Sequence, residues 1–185
     1  MKIWPAVLLC VSLPALAVER FVLDPGHTFP SFAIRHQGIS LMRGKFTRGQ
    51  GQVVLDPSGP DSRIEVSIDA GSGDTGHQGL NQKLTGSMFF NTAQFPEIHF
   101  LATDVTYRDG KPVAANGNLT LLGVTRPVTL DIRDYACTRQ FLTLRPVCGA
   151  DVHTSLKRSD FGMNYGIPLI GDEVDLAIEV EAFRE

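Results

Sequence analysis

The sequence predicts one all-β domain, and three observations support this prediction. Apolar and polar residues alternate with a period of two along several segments, as expected for strands that bury one face. Turn-forming clusters of Gly, Pro, Asn and Asp separate these segments. The length of 185 residues matches a single domain, and no internal repeat or long linker divides it.

Residues 1–17 are predicted to be a signal peptide that lies outside this domain. A single lysine precedes an apolar run over residues 3–13, and the small-residue sequence Ala15-Leu16-Ala17 follows. This order is typical of a cleavable secretory signal. A membrane anchor is the weaker interpretation, because the run is far shorter than the roughly 20 residues that span a bilayer.

Export leads to a set of expectations for the mature chain. Cleavage is expected between Ala17 and Val18, which leaves residues 18–185 as the mature domain. That domain is expected in the periplasm or outside the cell. No later segment is apolar enough to cross a bilayer, so a stable membrane span is not expected.

The cysteines that remain after cleavage form an even pair. Cys10 leaves with the predicted signal, so Cys137 and Cys148 are left. In an oxidising compartment such a pair is expected to form a disulfide, with two free thiols as the alternative. A metal site is poorly supported, because His153 is the only histidine near the pair in sequence and the other histidines are scattered.

The charge pattern argues against nucleic acid as a partner. The formal net charge is -3, and charges of both signs are distributed along the chain. There is no basic stripe of the kind that binds nucleic acid. There is also no polybasic run of the kind that binds anionic lipid surfaces.

The alternating pattern starts near the mature N-terminus and becomes clearest at the C-terminus. Its first members are Phe32 and Ile34, and Pro30 marks a strand start or an edge there. The later alternating apolar positions are Ile64, Val66 and Ile68; Val128, Leu130 and Ile132; Val152, Thr154 and Leu156; and Val174, Leu176, Ile178, Val180 and Ala182. Turns are predicted at residues 56–60, Asp109-Gly110, Asn116-Gly117, Gly123 and Gly171-Asp172.

One segment, residues 76–91, lacks this alternation. Leu80 and Leu84 lie four residues apart, which favours a short helix. Phe89, Phe90 and Phe95 follow and are expected to pack the helix against a barrel end or a sheet face. The domain is therefore predicted to contain seven or eight strands and one helical insertion. Alternation alone leaves a dry sandwich and a barrel as alternatives.

Several segments resemble the YceI-like family of bacterial polyisoprenoid-binding proteins. They include Phe21-Val22-Leu23-Asp24-Pro25-Gly26-His27, Phe95-Pro96-Glu97-Ile98-His99-Phe100 and Arg158-Ser159-Asp160-Phe161-Gly162-Met163. Further similar segments lie at 31–36, 43–46, 64–70, 89–91, 117–128 and 171–174. Together they cover nearly the whole mature chain in the order found in the family.

The resemblance implies a specific architecture and function. The expected fold is an extended, eight-stranded, antiparallel, lipocalin-like barrel with a short helical insertion. Its interior is expected to be an apolar tunnel that holds an isoprenoid chain of polyprenyl or quinone type. The implied protein is a periplasmic or secreted lipid-binding protein, with the bound lipid in place of any cofactor.

A set of apolar residues is expected to face the barrel interior. In an ordinary domain these residues form a dry core, whereas the resemblance implies that some of them line the tunnel. The candidates are Phe32, Ile34, Phe46, Val66, Ile68, Phe100, Leu119, Leu121, Leu130, Ile178 and Val180.

The candidate contacts to a lipid head group are His27, Arg35 and His36. His36 falls on the apolar face of the first strand pattern, together with Phe32 and Ile34. A histidine there can donate or accept a hydrogen bond to a head group. A purely structural histidine is the alternative.

The remaining polar segments are interpreted as structural. Arg126 lies in a turn with Gly and Pro, and the turn is favoured over contact with a pyrophosphate or a quinone oxygen. In residues 158–162, the Asp160 side chain is expected to bond its own backbone, and Gly162 allows the bend. His99 lies between two apolar residues and is expected to face solvent.

Three functional hypotheses remain after these observations. The first is a carrier of a long apolar lipid without enzyme activity. The second is a lipid-modifying enzyme, although no Gly-x-Ser-x-Gly motif surrounds Ser159 and no catalytic pair is visible. The third is an envelope-stress or interaction protein whose barrel is filled by its own side chains. An exposed edge strand would also permit a homodimer.

Overall fold

A computed structural model describes residues 18–185, so the predicted signal peptide, Cys10 and the Ala17 side of the predicted cleavage site lie outside the described residues. The described chain consists mainly of antiparallel strands. The strands are β1 (Glu19–Leu23), β2 (Phe29–His36), β3 (Ser40–Phe46), β4 (Gly49–Leu55), β5 (Arg63–Asp69), β6 (Gly73–Asp74), β7 (Glu97–Arg108), β8 (Lys111–Leu121), β9 (Val124–Arg139), β10 (Pro146–Lys157) and β11 (Ile170–Arg184).

These segments occupy eight positions around a closed barrel. β1 and β2 share one position, because each pairs with a different part of β11. β4 and β3 share the next position, because β4 pairs with β1 and β3 pairs with β2. β5 and β6 likewise pair with β4 and β3. β7 to β11 follow in chain order, and the β1–β11 pairing closes the ring. The predicted eight-stranded antiparallel barrel is therefore confirmed.

Two hairpin turns have the backbone that their residues predict. Asp109 and Gly110 have φ of 53° and 75°, and Leu122 and Gly123 have φ of 52° and 72°. Positive φ at both central residues is the requirement of a two-residue type I′ turn. The turns expected at Asp109-Gly110 and Gly123 are confirmed at the ends of β7 and β8.

Two other predicted turns are wrong. Asn116-Gly117 lies inside β8, and Gly171-Asp172 lies inside β11. Gly117 is needed for packing, because a Cβ there would lie 2.6 Å from Cζ of Phe100. Gly171 lies at an irregularity, where the pairing of β11 with β2 shifts between Ile170 and Val174.

The predicted short helix is confirmed as α1, Gln78–Leu84. His77 caps it, since its side chain accepts a hydrogen bond from the Leu80 backbone N–H. Leu84 is buried. Phe90, which follows the helix, packs edge-on against Phe46 with ring centroids 5.3 Å apart. These contacts fix α1 across one end of the barrel, called here the helix end.

Both ends of the barrel are packed by buried side chains. The helix-end core contains Phe46, Ala70, Ile98, Leu121, Phe161 and Met163. The core at the opposite end contains Phe21, Leu23, Leu55, Cys148 and Ala182.

Between the ends, Phe100, Ala102 and Ala115 form a third buried cluster on one wall. Elsewhere the inward-facing side chains are only half-buried. Along β11, Leu176 and Ile178 are half-buried, and Ala177 between them is exposed. Leu130 in β9 is also half-buried. A close-packed core would bury such residues fully. The middle of the barrel therefore encloses free space.

The expected Cys137–Cys148 disulfide is present at the end opposite α1. The two cysteines face each other across β9 and β10, and Cys148 belongs to the buried core at that end.

Reduction of this disulfide is expected to lower the free energy of unfolding by about 3 kcal/mol. The bond closes a loop between residues 11 apart in sequence and so restricts the unfolded chain. Urea unfolding with and without a thiol reductant measures the difference. A Cys137→Ala/Cys148→Ala double variant is the control and should not respond to the reductant. An unchanged wild-type midpoint after complete reduction would contradict the expectation.

Candidate functional site

The barrel encloses a cavity of about 510 Å³. This volume lies within the roughly 300–1,000 Å³ of small-molecule binding sites. The cavity reaches Leu55 and Cys148 near the disulfide, and it reaches Leu80 and Leu84 of α1 at the helix end. It therefore follows the long axis of the barrel and has the proportions of a site for an elongated molecule.

The wall of the cavity contains every residue that the sequence analysis placed inside. These residues are Phe32, Ile34, Phe46, Val66, Ile68, Phe100, Leu119, Leu121, Leu130, Ile178 and Val180. Each lies on the inward face of a strand, and period-two alternation identifies those in β2, β5, β9 and β11. That they contact a ligand stays a prediction.

Sequence reasoning missed the part of the wall that α1 and the segment after it supply. These residues are Leu80, Leu84, Met88, Phe89 and Phe90. A helix-period signal was visible at Leu80 and Leu84, but it did not indicate which face of the barrel the helix covers. Met42 was also missed, although it alternates with the outward residues of β3.

The mouth of the cavity lies at the helix end. The exposed residues on the cavity wall are Arg43, Lys83, Met88 and Tyr165, and all four come from elements at this end. Half-buried His36 also lines the cavity there, at the end of β2. The wall is thus mainly apolar in its depth and carries cationic and hydrogen-bonding groups at its mouth.

The three candidate head-group residues have different positions. His36 lines the cavity, whereas Arg35 points outward and is exposed. His27 lies on the outer surface, where its Nδ1 is 2.8 Å from Oδ2 of Asp24. This hydrogen bond is the main cause that raises the pKa of His27. Only His36 is retained in the proposed head-group site.

His27 also belongs to an exposed cluster with Asp24 and Glu181. The possible metal-ligand atoms of these side chains lie within 4.8 Å of one another. The hydrogen bond between His27 and Asp24 accounts for the arrangement without an ion. The cluster lies outside the cavity, on the outer surface of the barrel.

Buried Arg158 organises the loop beside the mouth. Its guanidinium donates to the backbone carbonyls of Gly171 (2.7 Å), Met163 (2.7 Å), Tyr165 (2.9 Å) and Ile170 (2.9 Å). Burial lowers the pKa of Arg158. One side chain therefore fixes both the loop 162–169 and the start of β11.

The Asp160 prediction is wrong, because the carboxylate that bonds the backbone of residues 158–162 is that of Asp172, from β11. The Asp172 carboxylate accepts hydrogen bonds from the backbone N–H and the hydroxyl of Ser159, at 3.0 and 2.8 Å. These bonds lower the pKa of Asp172. The backbone carbonyl of Asp160 accepts from Nε of Arg126 at 3.1 Å, so Arg126 has a structural role.

Deep in the cavity, the polar groups are few. Tyr135 lies on the wall, and burial is the main cause that raises its pKa. His99 is exposed, as expected, and its Nε2 lies 2.8 Å from Oε2 of Glu97. Within residues 18–185, every buried side-chain nitrogen or oxygen has a hydrogen-bond partner. The same part of the chain contains no helix with the length and apolar character to cross a membrane.

Comparison with known sequences gives consistent matches. The model of the YceI-like domain matches residues 21–182. Protein YceI of Salmonella arizonae is 31% identical over 189 residues, with 97% of this chain and 94% of the relative covered. A UPF0312 protein of Enterobacter is 31% identical over 167 residues, with 86% of this chain and 82% of the relative covered.

Comparison with solved structures supports the fold. Burkholderia cenocepacia BcnA superposes with a TM-score of 0.72 at 21% identity, covering 86% of this chain and 98% of that structure. A polyisoprenoid binding domain from Saccharophagus degradans has a TM-score of 0.65 at 18% identity, with coverages of 89% and 98%. The barrel, the segment order and the sequence matches agree, and the chain belongs to the YceI-like domain family.

Proposed function

We propose that this protein binds one long apolar lipid inside its barrel and carries it outside the cytoplasm. The observation that supports this proposal is the elongated cavity of about 510 Å³, with an apolar wall whose exposed residues lie at the helix end. A barrel filled by its own side chains would lack this space. The predicted signal peptide and the Cys137–Cys148 disulfide favour the periplasm or another extracytoplasmic compartment.

The apolar wall is sufficient to bind a long chain. Transfer of ten methylene groups from water to an apolar site contributes about 8 kcal/mol. Association costs on the order of 4–15 kcal/mol, so a short chain binds weakly and a long one binds tightly. Chain length is therefore expected to determine affinity, and the mouth residues are expected to select the head group.

A polyisoprenoid or an isoprenoid quinone is the proposed ligand class. The structural neighbour from Saccharophagus degradans is a polyisoprenoid binding domain, and this chain has the same barrel. At the mouth, His36, Arg43 and Lys83 offer hydrogen-bond donors to a phosphate or a quinone oxygen. The depth of the cavity carries few polar or titratable groups, which favours a binding site over a catalytic one.

Extraction of the purified protein tests this proposal directly. The mature protein is isolated from a periplasmic preparation, extracted with organic solvent and measured by mass spectrometry. One isoprenoid-type molecule per protein is the expected result. A stoichiometric lipid of another class would overturn the isoprenoid proposal. Absence of lipid, together with no uptake of polyprenyl lipid added from ethanol, would overturn the lipid-carrier proposal.

A further inference from the structure

We propose that the helix end of the barrel docks on an anionic phospholipid membrane, so that the cavity mouth opens directly onto the bilayer. This inference rests on the proposed function and names the surface from which lipid is loaded. The docking surface is a group of exposed apolar residues, called here the mouth ring. It consists of Ile39, Met88, Tyr165, Ile167 and Leu169.

The mouth ring exposes five large apolar or aromatic side chains at the helix end. Ile39 is 82% exposed and Leu169 is 66% exposed. Met88, Tyr165 and Ile167 are 51%, 49% and 38% exposed. Single exposed apolar residues are common, but a group gathered at one site indicates a protein or membrane contact.

Contacts between three loops hold the mouth ring together. The Gln37 N–H donates to the carbonyl of Leu169 at 2.6 Å, which joins the β2–β3 hairpin to the loop before β11. The rings of Tyr165 and Phe89 pack edge-on with centroids 5.5 Å apart, which joins that loop to the segment after α1. The Arg158 bonds fix the backbone of Met163 and Tyr165. The apolar tips are therefore presented together without prior binding.

The sequence has no polybasic run, but the fold places separate cationic side chains near these apolar tips. Exposed Arg43 and Lys83 lie on the edge of the cavity, and exposed Arg35 precedes the β2–β3 hairpin that carries Ile39. Asp74, the acid beside α1, already accepts hydrogen bonds from Gly76 and Asn81. Apolar tips with adjacent cations match the interface of an anionic bilayer, where the head groups are negative and the acyl chains lie just below.

The position of the mouth ring favours a membrane over a protein partner. Met88 and Tyr165 belong both to the mouth ring and to the cavity wall. A bilayer seated on the ring would therefore be continuous with the cavity, and an apolar chain could move between them without crossing water. A protein partner on the same surface would instead cover the mouth.

The opposite end of the barrel offers a matched control. Leu142 and Leu144 lie in the loop between β9 and β10, and they are 87% and 64% exposed. They are as exposed as Ile39 and Leu169 but lie beside the disulfide and not on the cavity wall. Substitutions at these two residues remove a similar amount of exposed apolar surface, but from the end of the barrel that is not expected to dock on the membrane.

Vesicle binding separates the two ends. Sedimentation is measured with vesicles of phosphatidylglycerol and phosphatidylcholine, and with vesicles of phosphatidylcholine alone. Wild type is expected to bind the anionic vesicles more tightly and to lose this preference at high salt. Ile39→Ser/Leu169→Ser is expected to weaken binding about tenfold or more. Leu142→Ser/Leu144→Ser is expected to bind like wild type.

The same variants distinguish docking from lipid binding. Polyprenyl lipid added from ethanol should bind equally to wild type and to Ile39→Ser/Leu169→Ser, whereas transfer from vesicles should slow in the variant. Failure of lipid binding from ethanol would overturn the proposed function, while vesicle sedimentation would still test docking. Wild-type affinity of the mouth-ring variant, or a loss confined to the Leu142/Leu144 variant, would overturn docking. Docking would also be overturned if wild type forms a dimer that depends on Ile39 and Leu169 and does not bind vesicles.

Discussion

Thr154→Trp is expected to reduce uptake of polyprenyl lipid by at least about tenfold. Thr154 lies on the cavity wall in β10, directly across from Leu176 of β11. A tryptophan at this position would project its indole into the cavity of about 510 Å³ and occupy the path of the chain. Loss of only two methylene contacts already accounts for about a tenfold change, at roughly 0.8 kcal/mol each.

The fluorescence of the introduced indole also shows whether its surroundings are apolar. The only tryptophan of the chain is Trp4, which lies in the predicted signal peptide, so Thr154→Trp would carry the single indole of the mature domain. Blue-shifted emission is expected, because the indole would lie among apolar side chains. Titration with polyprenyl lipid added from ethanol gives the change in uptake.

Ala177→Trp is the matched control for the cavity substitution. Ala177 is adjacent to Leu176 in β11, but its side chain is exposed and lies outside the cavity. Its indole should emit as an exposed group and leave uptake unchanged. If Thr154→Trp shows blue-shifted emission and still binds lipid like wild type, the barrel interior is not the lipid site.

The strand faces were predictable because alternation is local information. A residue two positions along a strand points to the same side, so Val66 and Ile68 identify an inward face without knowledge of the partner strands. Closure of the barrel was not predictable in this way, because it depends on pairing Phe21 with Arg184 from opposite ends of the chain. The barrel expectation required the family resemblance.

The cavity wall was predictable from the sequence only where it is formed by strands. The mouth combines Arg43 of β3, Lys83 of α1 and Tyr165 of a loop, and no sequence spacing connects these three residues. The sequence predicts His27 as a head-group contact. In the structure, the Asp24 side chain accepts a hydrogen bond from the Gly26 N–H at 2.9 Å and forms a second hydrogen bond with Nδ1 of His27. This local turn directs His27 to the outer surface. Periodicity carries no information on such side-chain to backbone bonds.

Arg158→Met is expected to lower the free energy of unfolding by about 4 kcal/mol. Arg158 is 2% exposed and donates to four carbonyls, of Met163, Tyr165, Ile170 and Gly171. Methionine fills similar space but donates no hydrogen bond, and each carbonyl left buried and unpaired costs about 1–3 kcal/mol. Relief of the desolvated charge offsets part of this sum. Urea unfolding at neutral pH measures the difference.

Two further variants separate the hydrogen bonds of Arg158 from other effects. Arg126→Met removes an exposed arginine that donates to one carbonyl, that of Asp160, and should cost less than about 1 kcal/mol. Arg158→Lys keeps the charge and some donors but cannot reach four carbonyls with one planar group, so an intermediate loss is expected even if Arg158→Met does not fold. Because the same carbonyls hold the loop of Tyr165 at the mouth, slower lipid transfer should accompany this loss. Equal stability of Arg158→Lys and wild type would show that charge, and not the four-carbonyl geometry, stabilises the loop.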